Sequence, residues 1–146
     1  MSKKARVIDV ADYILHRSGS MSAMKLQKLV YYCQAWSLVW TEFPLFSEEI
    51  EAWANGPVVR SLYEKHRGYF RVGKGFFGGD IDRISEDQRD VIKRVLEFYG
   101  DKDPQWLSNL THMESPWKEA RQGLDPGERG CNIITKEAIL EYYSSL

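Results

Sequence analysis

Apolar residues recur in the first third of the chain with the period of an α-helix. From Arg6 to Arg17, Val7, Val10, Ala11 and Ile14 fall at i, i+3, i+4 and i+7, the spacing of one helical face. Ser18-Gly19-Ser20 interrupts the pattern, and Ser22 is placed to cap a second helix by accepting from an unpaired backbone N–H. From Met24 to Trp40, Leu26, Leu29, Val30, Cys33, Trp36, Ser37 and Trp40 follow the 3.6-residue period. Tyr31, Tyr32, Trp36 and Trp40 read as core packing, and Lys25, Gln27, Lys28 and Gln34 as a polar edge, solvated or open to a partner.

Beyond Thr41 to Pro44, where proline stops the helix, Ile50, Ala52 and Ala54 alternate with Glu51 and Trp53, as in an isolated strand or hairpin arm. Asn55-Gly56-Pro57 is a turn signal, with a third helix expected from Pro57 to His66. Gly68 to Asp82 carries five glycines among Tyr69, Phe70, Phe76 and Phe77 and reads as a loop or irregular hairpin. Ser85 to Gln88 matches a capping box, and Val91, Ile92, Val95, Leu96, Phe98 and Tyr99 give the next helix a wide apolar face ending at Gly100 as a left-handed cap. Asp103-Pro104 starts a short helix through Leu110, and Ser115-Pro116 starts another, Pro116 to Arg121. Asp125-Pro126-Gly127 is a turn, and Thr135 caps a final helix from Lys136 to Tyr143 with Ala138, Ile139 and Tyr142 inward. The expectation is a mainly α, single compact domain of six to seven helices, with a short strand or hairpin and a Gly-rich loop.

Composition changes this picture little. At 146 residues, 43% hydrophobic and 28% charged, the chain can bury a sufficient core without disulfides or metal. Cys33 and Cys131 stand far apart with no metal-ligand spacing, which fits a reducing compartment. Asp9 and Asp12 break any apolar run behind the basic start Met1 to Arg6, and no segment reaches the roughly 18 apolar residues of a membrane span, so a cytoplasmic location is expected. A formal charge of −1 exerts no global pull on nucleic acid.

Candidate chemistry is sparse. Gly73-x-Gly75-x-x-Gly78 has the letters of a dinucleotide-binding turn, but no buried strand precedes it, Asp80 sets negative charge beside it and the next helix starts only after Ser85, so no cofactor is expected. Arg67, Arg71 and Lys74 interleave with Tyr69, Phe70, Phe76 and Phe77, a composition suited to stacking bases, to a protein hot spot or to a packed lid; the slightly acidic chain favours protein over nucleic acid. His112 with Glu114 or Asp103 leaves a hydrolase or transferase reading open, with His16 and His66 at helix ends. Yet no nucleophile elbow, His-Glu-x-x-His or Cys–His pair accompanies them, and pairing of such histidines with carbonyls and the helix dipole is the plainer reading.

Three segments together resemble the Panacea domain, known from SocA-type antitoxins and phage-associated proteins. Lys25-Leu26-Gln27-Lys28-Leu29-Val30-Tyr31-Tyr32 resembles its "KLQKLLYF" core, Trp53 to Val59 its "W-x-x-GPV" segment with Gly56, Pro57 and Val58, and Thr111-His112 to Pro116-Trp117 its "TH-x-x-x-PW" segment. Ile133 to Ile139 is similar to the family's ending. The resemblance implies a helical domain that neutralises a toxin, often encoded nearby, by binding it or delivering it to a protease, with no established catalytic site. On this reading the motif residues build the scaffold and the Arg67 to Phe77 loop meets the partner.

Overall fold

The computed structural model describes residues 3–146; Met1 and Ser2, which open the basic N-terminal stretch, lie outside the described residues. The elements run α1 (Val7–Ser18), β1 (Met21–Ser22), α2 (Ala23–Thr41), β2 (Ile50–Trp53), β3 (Gly56–Val58), α3 (Arg60–His66), β4 (Arg71–Val72), α4 (Glu86–Tyr99), α5 (Pro104–Met113), α6 (Ser115–Ala120), β5 (Ile133–Ile134) and α7 (Lys136–Ser144), with a 3-10 turn at Ile81–Arg83. The chain is thus a mainly helical single domain, as the periodicity predicts. Its strands form two small antiparallel sheets, β1 with β4 and the order β3-β2-β5. The Ile50 segment is the expected hairpin arm, with Trp53 opposite Gly56.

Helix α2 lies at the centre, packed against α1, α4, α5, α7 and β3. Leu26, Leu29, Val30, Tyr32, Cys33 and Ala35 are completely buried, which surrounds the helix with core on every side. The expected polar edge therefore does not exist. Gln27, Lys28 and Gln34 are each 1% exposed, and only Lys25 is half-buried, donating to the Gly100 carbonyl at 2.7 Å. The glutamines are satisfied by backbone instead. The Gln34 amide donates to the Phe46 carbonyl (2.9 Å) while its oxygen accepts from the Leu45 N–H (2.7 Å). Gln27 donates to the Val59 carbonyl (3.3 Å) and accepts from the Val59 N–H (3.0 Å). Of the aromatic cluster, Tyr31 and Tyr32 are core, Trp36 is half-buried and Trp40 is 42% exposed.

The predicted caps hold at Ser22, Ser85, Asp103 and Thr135, each accepting a backbone N–H of its helix's first turn. Four expectations are corrected. The third helix starts at Arg60 rather than Pro57, because Gly56–Val58 pairs with β2; Pro57 is tolerated there since β3 is an edge strand. Gly100 has φ −64°, right-handed rather than left-handed. Helix α5 continues past Leu110 to Met113. On α7, Tyr143 is fully buried beside Ile139, whereas Tyr142 and Ala138 are only half-buried.

The glycine-rich segment is neither a free loop nor a hairpin of its own. Its Arg71–Val72 pairs with Met21–Ser22, and two aspartates of α1 hold the remainder. Asp12 accepts from the Phe77 N–H (3.1 Å) and the Gly79 N–H (2.6 Å), and Asp9 accepts from the Asp80 N–H (2.7 Å). Burial alone would raise the Asp9 carboxyl, but hydrogen bonds from Arg6 and the Asp80 amide outweigh it and hold the group below its ordinary range. Replacing Asp12 by alanine leaves two amides without acceptors. The expected cost is about 2–4 kcal/mol in urea unfolding. Asp12→Asn, which keeps one acceptor, should lose about half as much.

Candidate functional site

The three motif segments, far apart in sequence, meet beneath the β2–β3 turn. The Lys28 ammonium donates to the Pro57 carbonyl at 3.3 Å. Gly56 has φ +125°, and a Cβ there would stand 2.5 Å from Lys28 Cε and 3.1 Å from Thr111 Oγ1, so the glycine answers both to backbone conformation and to the lysine beneath it. His112 bridges two elements, with Nδ1 2.6 Å from the Ser108 carbonyl and Nε2 3.0 Å from the Ala54 carbonyl. The Trp117 ring lies 4.0 Å from the His112 ring and its N–H donates to the Trp53 carbonyl at 2.8 Å. Of the other motif residues, Leu26, Leu29, Tyr31, Val58, Pro116 and Trp117 are buried, and Trp53 is half-buried.

This arrangement does not bring His112 and Glu114 into a pair. Both His112 nitrogens face carbonyl acceptors, while the Glu114 carboxylate turns into the core and accepts from the Tyr32 and Tyr143 hydroxyls, each at 2.7 Å. Burial raises the Glu114 carboxyl even though both hydroxyls favour its charged form. Tyr31 extends the cluster through Tyr143 at 3.0 Å, and Tyr99 stacks on Tyr32 at 4.2 Å. Nothing in the sequence pattern announced this network. His66, which is buried, faces the Gln27 amide at 3.0 Å, and burial pushes its pKa down.

Two clefts open on either side of Met24 and Asn55. The larger, about 690 Å³, is walled by Trp53, Tyr63, Arg60, Arg67 and Arg129. Glu51 neutralises Arg60 through two bonds of 2.9 Å, while Arg67 and Arg129 make no ion pair among the described residues. The smaller groove, about 340 Å³, has Lys28 at its floor and Asn55, Gln105, Ser108, Asn109 and His112 along its walls.

The aromatic-basic segment runs from the rim of the larger cleft. Arg67, Arg71 and Lys74 are exposed, and Tyr69 and Phe70 are 61% and 79% exposed. Phe77 departs from the expected exposure: it is 8% exposed and packs in the core, with Phe76 half-buried against it at 5.0 Å between ring centroids. Phe77 turns inward where Asp12 captures its amide and that of Gly79. The Gly73-x-Gly75-x-x-Gly78 letters therefore wrap a carboxylate of the chain itself.

The structure is thus a helical scaffold whose three motif segments are joined at one junction. The family model for the antitoxin SocA-like Panacea domain matches residues 26–118, and the chain belongs to this family. No curated protein and no solved structure matches the chain significantly.

Two tests probe the junction. Gly56→Ala combines backbone strain with a clash on Lys28 and should cost about 2–4 kcal/mol in denaturant unfolding. Burial lowers the Lys28 pKa from 10.5 to about 8, so between those values the unfolded state binds more protons and stability rises with pH. Lys28→Met should remove that rise. The stability difference between the two proteins should change by about 3 kcal/mol from pH 7 to 10, measured by urea unfolding. Buried Tyr31, Tyr32 and Tyr143, raised by desolvation, lower stability above pH 10 in both proteins alike and drop out of the comparison.

Proposed function

We propose that the protein is an antitoxin-like module that neutralises a toxin encoded nearby by direct binding, either occluding it or presenting it to a protease. The observation that carries this reading is the ordered, exposed edge Arg67 to Lys74 in a chain of the Panacea family. The Ala23 N–H donates to the Phe70 carbonyl at 2.8 Å, and Tyr69 rests on Phe76 with ring centroids 5.2 Å apart. Two aromatic side chains are thus presented on a fixed backbone, at little entropic cost to a partner, between cations that set orientation. Met24 and Tyr63 continue the surface into the larger cleft.

Co-expression with the product of the neighbouring reading frame tests the reading. Relief of toxicity and co-purification are expected; a neighbour that is harmless alone and does not co-purify overturns it. Tyr69→Ala with Phe70→Ala should weaken the complex about thirtyfold or more while leaving the helical circular dichroism unchanged. Undiminished affinity removes the edge from the interface. Binding to DNA or RNA that collapses with added salt would assign the same edge to nucleic acid instead.

A further inference from the structure

The smaller groove has features that a purely structural junction does not need. Lys28 is 1% exposed, and its ammonium, with three donors, has the Pro57 carbonyl as its hydrogen-bond acceptor. Among the described residues no carboxylate lies within 4 Å of it, and the ion pairs join Arg6 to Asp9, Arg60 to Glu51 and Lys102 to Asp101. Apolar Met24 and Pro104 share the walls of the groove with the polar Asn55, Gln105, Ser108, Asn109 and His112, and no acidic residue lines it. Ser108 Oγ donates to the Asn55 carbonyl at 2.8 Å, and Gln105 donates to Asn109 Oδ1 at 2.8 Å, which leaves the Asn109 NH2 group as a donor. His112 fixes the opposite walls relative to each other by facing both Ser108 and Ala54.

We infer that this groove is a carboxylate-binding site, in which the Lys28 ammonium and the side-chain amides of Asn55 and Asn109 receive an acidic side chain or a chain terminus of the protein partner. One buried cation among neutral amide donors matches a monoanion. A phosphate dianion would leave a net negative charge in a site with a single cation. Burial lowers the Lys28 pKa, and a carboxylate placed beside the ammonium favours its charged form. The inference rests on the protein-binding reading only for the carrier of the carboxylate.

The test follows the Lys28 side chain and the Asn55 and Asn109 side-chain amides by NMR, in the full chain at constant ionic strength. The probes are acetate, inorganic phosphate, a blocked Gly-Asp-Gly peptide, N-acetyl-triglycine with a free terminus, and fully blocked triglycine. Saturable shifts with the carboxylate probes and none with blocked triglycine are expected. A larger response to the aspartate peptide assigns the side chain as the source, and a larger response to the free terminus assigns the chain end. Lys28→Met should weaken carboxylate binding about tenfold or more. Asn109→Asp, at an exposed position that leaves the fold alone, should abolish it by supplying the charge in place. Absence of shifts with every carboxylate, a stronger response to phosphate, or wild-type binding by both variants overturns the inference. The two readings fail separately: a toxin that binds wild type and Lys28→Met equally removes the groove from the interface, whereas peptide binding without any toxin complex leaves the groove and removes the proposed partner.

Discussion

The structure depends on the burial of α2 on all sides. A helix with apolar residues around its whole circumference has no solvent face, so each polar side chain on it must find a partner inside. Gln27, Lys28 and Gln34 solve this by holding irregular backbone. Gln34 satisfies the segment entering β2, Gln27 matches the donor and acceptor of Val59 at the start of α3, and Lys28 reaches the Pro57 carbonyl between them. The small sheet is thereby suspended from the central helix by side-chain amides and one amine. A backbone amide left alone there would cost about 1–3 kcal/mol, which makes the two glutamines intolerant of apolar replacement.

A second use of the same device shapes the glycine-rich segment. Asp9 and Asp12, buried on α1, gather backbone amides of Phe77, Gly79 and Asp80. Glycines with positive φ at Gly75 and Gly78 let the chain turn tightly enough to offer those amides. The consequence is a division of labour among aromatics that look alike in the sequence. Phe77 is drawn into the core, while Tyr69 and Phe70, before the β1–β4 pairing, remain outside.

Much of the fold was legible because it is local. Caps at Ser22, Ser85, Asp103 and Thr135 are written in four-residue patterns, and a turn is signalled at Asn55, although Gly56 and Pro57 belong to the strand that follows it. What escaped is long-range. Reading α2 as two-faced overlooked that Leu26, Leu29, Tyr32, Ala35 and Leu38 point in different directions around the helix, the signal that should have placed its glutamines and lysine inside. Asp9 and Asp12 read as interruptions of an apolar run, yet the glycine-rich amides they hold lie 65 or more residues away. The Glu114–Tyr32–Tyr143 contact likewise joins α2, α7 and the α5–α6 junction, which no spacing rule relates. Of the candidate site, the exposed half of the loop was recognisable from composition, but the groove was not, since it exists only where α2, the β2–β3 turn and α5 meet.

That meeting point also blurs the separation of scaffold from site. Gly56 is required by its positive φ and by the lysine beneath it, and Trp117 and His112 by the carbonyls they hold, so each motif residue has a structural reason. Lys28 is the exception. A methionine of similar length would fill the same space without the desolvation of a charge, and replacing buried ions by apolar side chains is often neutral or stabilising. A lysine with one carbonyl partner and no counter-ion lowers the stability of the isolated domain at neutral pH. It repays that cost only when an acceptor arrives from outside, which is how a residue buried among scaffold contacts serves recognition.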